Sequence, residues 1–215
     1  MITILKTLTS QRMKIYNIEQ QTDIWKEVKQ GKISGTVAGS VMGSATVRKT
    51  ALYDLVGERL SIESDSNESD MDRGNRLEPE ARKEYEKMTG YTVEQVGFLE
   101  RKDCKWIGIS PDGLIKENGK YTRAIEIKCL CAKNHITAIE ENEIPKKYYH
   151  QALQYFVVNP DLEVLEFVLY NPLLTKIPMF IFILNRKDLE KEIAEMLAEE
   201  LKMVEEVNKI VKKYI

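Results

Sequence analysis

Asp112, Glu126 and Lys128 are the residues of this 215-residue chain whose types and spacing could do chemistry. Asp112 stands in Ser110-Pro111-Asp112-Gly113-Leu114, a Pro/Gly turn. Glu126 and Lys128 follow in Ala124-Ile125-Glu126-Ile127-Lys128, a run that reads as a strand. Side chains alternate along a strand, so Glu126 and Lys128 share one face while Ile125 and Ile127 turn to the other, toward a core. If the turn folds the chain back, Asp112 joins them. Two carboxylates and an ammonium around one small volume can hold a divalent cation and steer a water, which is what phosphodiester hydrolysis requires. Mg²⁺ is hard and keeps several waters, so Asp112, Glu126 and the backbone carbonyl of Ile127 suffice as protein ligands, with Mn²⁺ as a substitute. Lys128 is placed to orient the nucleophilic water. Burial lowers its pKa while the two carboxylates raise it, a balance the residues alone leave open. A Pro-Asp-Gly turn alone is common, and an acid and a lysine on a strand can be a solvated face; the combination points to catalysis.

The elements that must position these groups follow from local patterning. Asp23 is a candidate cap for a short helix through Gln30, with Gly31 ending it. Ser34 opens a second helix through Met42, and a third spans Val47 to Leu60 on the spacing of Ala51, Leu52, Leu55 and Val56. Ser61 to Asp70 reads as an exposed loop. Asp72 to Thr89 is helical and closed by Gly90, with Pro79 expected in a first turn or at a kink. Strands are expected at Tyr91–Arg101, Lys105–Ile109, near Leu114 and at Arg123–Leu130. A helix over Pro145–Val157 follows, then strands Leu165–Tyr170 and Met179–Leu184. From Lys187, an apolar stripe through Leu189, Ile193, Met196, Leu197, Val204, Val207 and Val211 marks a long helix. The order predicts an α/β fold, a mixed central β-sheet flanked by helices. It reads as one domain over 1–215: a helical segment to about 60, a core from about 72 to 185 and a C-terminal helix from about 187 to 213.

Composition narrows the class. A net charge of −2 argues against coating nucleic acid by bulk charge. A local basic groove could still draw on Lys29, Lys32, Arg48, Lys49, Arg73, Arg76, Lys146 and Lys147, with the acidic Glu63–Asp72 stretch facing elsewhere. The longest apolar stretch, Ile177 to Leu184, is too short to span a bilayer, and the N-terminus lacks a signal-peptide layout, so a cytoplasmic location is expected. Cys104, Cys129 and Cys131 read as reduced thiols; Cys129 and Cys131 lack two further ligands at zinc spacing.

Ser110-Pro111-Asp112-Gly113-Leu114 with Glu126-Ile127-Lys128 resembles the PD-(D/E)xK nuclease core, a restriction-endonuclease-like fold, and more narrowly the phage lambda exonuclease branch used in viral recombination. Arg73-Gly74-Asn75-Arg76-Leu77-Glu78-Pro79-Glu80-Ala81-Arg82, with Tyr85-Glu86 and Thr89-Gly90, resembles the helix that supplies a further metal-site carboxylate in that family, a role that falls on Glu78. Tyr148-Tyr149-His150-Gln151 ahead of Gln154 resembles its tyrosine-and-glutamine helix beside the active site. Trp25 with Gly31-Lys32-Ile33-Ser34-Gly35-Thr36 resembles its N-terminal segment. In that family a basic residue, two hydroxyls and the glutamine grip the 5′-phosphate of the digested strand; the matching positions are Lys29, Thr36, Ser110 and Gln151, with Tyr148 alongside. Lysine for arginine is a departure, because an ammonium cannot make the planar bidentate phosphate contact.

The resemblance implies a metal-dependent deoxyribonuclease acting on double-stranded DNA ends. It would digest one strand 5′ to 3′ and leave a 3′ overhang for a single-strand annealing protein, in phage-type recombination within a bacterial host. It also implies a closed homotrimeric ring. Two alternatives share the core: a sequence- or structure-specific endonuclease, and a non-catalytic DNA-binding protein, which the intact acid–acid–lysine set disfavours. The iron–sulfur nucleases of CRISPR adaptation need four cysteines, one more than this chain has.

Overall fold

Alternation along two neighbouring strands decides where everything else packs. The computed structural model describes residues 7–9, 13–60, 72–130 and 132–215. Two short strands come first, β1 (Thr7–Thr9) and β2 (Met13–Tyr16), followed by α1 (Asp23–Lys29), α2 (Gly35–Val41), α3 (Ala45–Leu60) and α4 (Asp72–Thr89). Then come β3 (Phe98–Arg101), β4 (Cys104–Ile109), β5 (Gly113–Glu117) and β6 (Lys120–Lys128). The chain closes with α5 (Ala132–Glu141), α6 (Lys146–Val158), β7 (Val164–Tyr170), β8 (Met179–Asn185) and, after a 3₁₀ turn, α7 (Glu190–Val211).

The expected class holds: a mixed α/β fold with sheets flanked by helices. Hydrogen bonding divides the strands into two ladders, β1-β2-β3-β4 and β5-β6-β7-β8. The first is antiparallel throughout; in the second, β6 and β7 run parallel between antiparallel neighbours. The break between ladders falls at 110–112, where Pro111 has no N–H to donate. Parallel pairing needs a long crossover, and α5 and α6 supply it. On β7, Leu165, Phe167 and Leu169 join the main core, while Val168 and Tyr170 join a smaller cluster with Ala81 and Tyr85 of α4. Ile125 and Ile127 of β6 belong to that α4 side, as alternation requires. Glu126 and Lys128 therefore face α6.

Several local expectations are corrected. Thr22, not Asp23, caps α1: its backbone is extended and its hydroxyl accepts from Trp25 N at 3.3 Å. Asp23 sits in the first turn, where its charge suits the helix N-terminus. Of the two places expected for Pro79, the first turn is excluded: it lies inside α4 and is exposed, so the bond it forgoes is on the outer side of a helix held to the sheet by Ala81 and Tyr85. Residues 91–97 do not form a strand: Glu94 bridges Leu114 alone, and Val93 N is taken by the Glu86 side chain at 2.8 Å. β1, β2 and α5 were not anticipated. The Ser61–Asp70 loop and Cys131 lie outside the described residues, as does the Arg73 side chain; Cys104 is a free thiol. Among the described residues no helix is long and apolar enough to cross a membrane.

Glu200 of α7 is fully buried against Gln154 of α6, which donates to its Oε2 at 3.4 Å. Burial pushes its carboxyl up to about 8, against weaker opposition from Gln154 and Arg101. Between the unfolded value near 4.5 and about 8, the native chain holds a proton that the unfolded chain has lost, so stability falls as pH rises through that window. Glu200→Gln removes this dependence. Relative to the variant, wild type is expected to lose roughly 3–5 kcal/mol between pH 5 and pH 9, about 10 °C in melting temperature. Parallel melting curves across that range would contradict it.

Candidate active site

Because Glu126 and Lys128 face α6, the helix decides their surroundings. Glu126 is fully buried, and its carboxylate accepts from Gln151 Nε2 at 2.6 Å and from Tyr155 Oη at 2.5 Å. Lys128 Nζ lies 2.5 Å from the same carboxylate and 5.0 Å from the Tyr148 ring centroid. Tyr148, Gln151 and Tyr155 are spaced three and four apart, one face of a helix. Gly35 lets α2 close over this face: a Cβ there would lie 3.1 Å from Gln151 Cγ.

The turn does fold back. Asp112 Oδ2 accepts from Ile127 N at 2.7 Å, so the carboxylate is pinned to β6 between Glu126 and Lys128. Asp112 N donates to Tyr155 Oη at 3.2 Å, and Asp112 O accepts from Arg82 Nε at 3.0 Å. Gly113 makes the tight passage possible, since a Cβ would stand 2.2 Å from Val93. Tyr155 thus holds both acids, and sequence reasoning missed it; its place one helical turn after Gln151 was the available signal. Arg82, one turn after Glu78, was missed likewise.

Burial, then the neighbouring Glu126 and Glu78 charges, raise Asp112 well above the usual carboxylate range, with Lys128 and the Ile127 N–H pulling the other way. Burial also raises Glu78, opposed by Arg82. For Lys128, burial pulls the ammonium down, but Glu126 and Asp112 outweigh it and the net shift is upward. The balance left open by the sequence thus falls toward the ammonium form of Lys128.

One cleft of about 430 Å³ is lined by Asp112, Glu126, Ile127 and Lys128. Its wall also carries Glu78, Lys29, Thr36, Ser110, Gln151 and Tyr148, so every candidate residue reaches the same space. Trp25 organises one side: its indole N–H is shared between Ser110 Oγ and Gly97 O, both at 3.0 Å, and Lys29 Nζ lies 4.6 Å from its ring. Thr36 Oγ1 is 3.1 Å from Ser34 Oγ. Gln21 stands on the lip with φ +66°, a conformation L-residues seldom adopt. Cys129, read from sequence as a reduced thiol, also lines the cleft. Among the described members of the suggested basic groove, Lys29 lines this cleft, Lys32 pairs with Glu100, and Arg48 pairs with Glu199 and Glu206.

The donor set fits a hard divalent cation. Among the described residues no three acid, histidine or cysteine side chains form a ready-made cage. Mg²⁺ does not need one, since two carboxylates and waters suffice. Burial is the main cause of the raised Asp112 carboxyl, and the Glu126 and Glu78 charges add to it; a dication would offset the negative charge gathered there.

A family model described as YqaJ-like viral recombinase domain matches residues 24–159. Among solved structures, the alkaline exonuclease LHK-Exo from Laribacter hongkongensis matches with a TM-score of 0.81 and 28% identity, over 90% of this chain and 96% of that one. LHK-Exo in complex with dAMP matches at 0.76 and 28%, over 90% and 98%. A phage related exonuclease from Haemophilus somnus 129PT matches at 0.57 and 16% identity, over 86% and 96%, a likeness of fold alone. No curated protein sequence matches the chain.

Proposed function

We propose, since this chain belongs to the YqaJ-like viral recombinase domain family, that it is a DNA exonuclease. It digests one strand of linear duplex DNA from a 5′ end in a metal-dependent reaction and leaves a 3′ overhang. The observation that carries this reading is the convergence of Asp112, Glu126 and Lys128 on one cleft, with Lys29, Thr36, Ser110 and Gln151 on its wall. Asp112, Glu126 and the Ile127 carbonyl would hold Mg²⁺ (or Mn²⁺), and Glu78 would help to hold a second ion; the metal would supply an acidified water and neutralise charge at the phosphate. Tyr155 and Gln151 hold Glu126 from opposite oxygens, so its carboxylate is oriented before substrate arrives. Lys128 donates to the attacking water or to a phosphate oxygen. One N–H of Gln151 is committed to Glu126, which leaves its second for the terminal phosphate. Trp25 aims Ser110 at that phosphate and Lys29 supplies the positive charge. The same reading carries a ring of three copies, a location in the cytoplasm of a bacterial host, and an annealing protein that receives the product strand.

The test uses linear duplexes with 5′-phosphate or 5′-hydroxyl ends, and a closed circular duplex, each with and without Mg²⁺. The 5′-phosphorylated linear duplex is expected to shorten fastest, by roughly tenfold or more over the hydroxyl form, which is what one charge-assisted contact provides. Lys29→Ala should erase that difference. The circle should stay intact. Cutting of the circle would favour an endonuclease, and digestion in EDTA would remove the metal from the mechanism.

A further inference from the structure

Glu78 stands in the wall between two clefts. It lines the cleft of Asp112, Glu126 and Lys128, and also a neighbouring one of about 580 Å³ that includes Arg82 and Gln95. Arg82 does not line the first cleft; it reaches Glu78 from behind. Its Nη2 is in close contact with Glu78 Oε1, its Nε donates to Asp112 O at 3.0 Å, and only 9% of its surface is exposed. A guanidinium this enclosed occupies the carboxylate as a bound cation would.

Charge counting gives the contact a consequence. Glu78, Asp112 and Glu126 face Lys128 and Arg82, so one dication already leaves the cluster positive. A second entering near Glu78 must displace Arg82 and do so against repulsion. Arrival of a phosphodiester, with its own negative charge, removes that opposition. Resting on the metal-dependent reading above, we propose that Arg82 is a positioning residue that holds Glu78 away from metal until DNA is bound, so that the second ion enters only with substrate.

The test is Mn²⁺ binding, followed by calorimetry and by the electron paramagnetic resonance of free Mn²⁺, on full-length protein with no DNA and then with a duplex whose terminal linkages are non-cleavable phosphorothioates. Without DNA, Glu78→Gln is expected to bind Mn²⁺ as wild type does, within about twofold; with the duplex, it lacks the second ion that wild type takes up. Arg82→Gln is expected to take the second ion without DNA at a concentration at least tenfold lower than wild type, and Glu78→Gln in the same chain abolishes that gain. A tenfold loss of DNA-free affinity in Glu78→Gln would show Glu78 already at the metal and overturn the proposal, whatever the folding of the Arg82 variant. A folded Arg82→Gln protein that binds as wild type does would also overturn it. Asp112→Asn separates the two levels: if wild type binds Mn²⁺ and Asp112→Asn does not, the metal reading stands however Arg82 behaves. If wild type binds none, with or without duplex, both fall.

Discussion

Asp112→Asn is expected to reduce digestion of linear duplex with Mg²⁺ by a thousandfold or more, roughly 4 kcal/mol of transition-state stabilisation, while raising the melting temperature of the metal-free protein at pH 8. The two effects have one cause. Burial first, and then the charges of Glu126 and Glu78 beside it, hold the Asp112 carboxyl well above the unfolded value of 3.8. A carboxyl raised on folding favours the unfolded chain as pH climbs past that unfolded value, because the unfolded chain gives up its proton first. Asparagine cannot ionise, yet its side-chain oxygen can still accept from Ile127 N, so the turn stays pinned and the penalty disappears. It is also a much poorer ligand for a dication. Mg²⁺ should therefore raise the melting temperature of wild type and not of the variant, closing the gap seen in EDTA. A variant that retains wild-type turnover, or melts lower in EDTA at pH 8, would be incompatible with Asp112 as a crowded metal ligand.

Lys128→Ala is expected to lose activity to a similar degree with the opposite effect on stability. The ammonium is the cationic partner of a fully buried carboxylate, 2.5 Å away. Removing one member of a buried pair strands the other, typically at about 3–5 kcal/mol, or roughly 10 °C for a chain of this size. The carboxylates raise the Lys128 pKa despite burial, so the pair is intact throughout neutral and mildly alkaline pH, and the deficit should be the same at pH 7 and pH 9. Calorimetric melts of the metal-free protein at the two pH values check this. A Lys128→Ala protein as stable as wild type would mean the ammonium is solvated and not coupled to Glu126.

Asp112 and Lys128 were visible in the chain because each belongs to a local pattern. A turn announces itself through Pro111 and Gly113, and strand alternation puts Glu126 and Lys128 on one face within five residues of sequence. α2, α3, α4 and α7 were legible for the same reason, through the start at Ser34, the end at Gly90 and the apolar stripes of α3 and α7. The strand expected over Tyr91–Arg101 failed because its first half spends its backbone groups on Leu114 and the Glu86 side chain, partners no local window contains. β1 and β2 are too short to show a period; β2 exists by pairing with β3, far along the chain, and β1 by pairing with β2.

Periodicity and turn chemistry are properties of neighbouring residues, so the chain alone was enough to name the acids, the lysine and the elements that bear them. Which side of the sheet α6 would cover, that Tyr155 would bridge Asp112 N and Glu126, and that Arg82 would claim Glu78 from behind are contacts between distant segments. Such contacts form because burying a carboxylate demands donors from wherever the fold can bring them, and that demand is met only once the layers have packed.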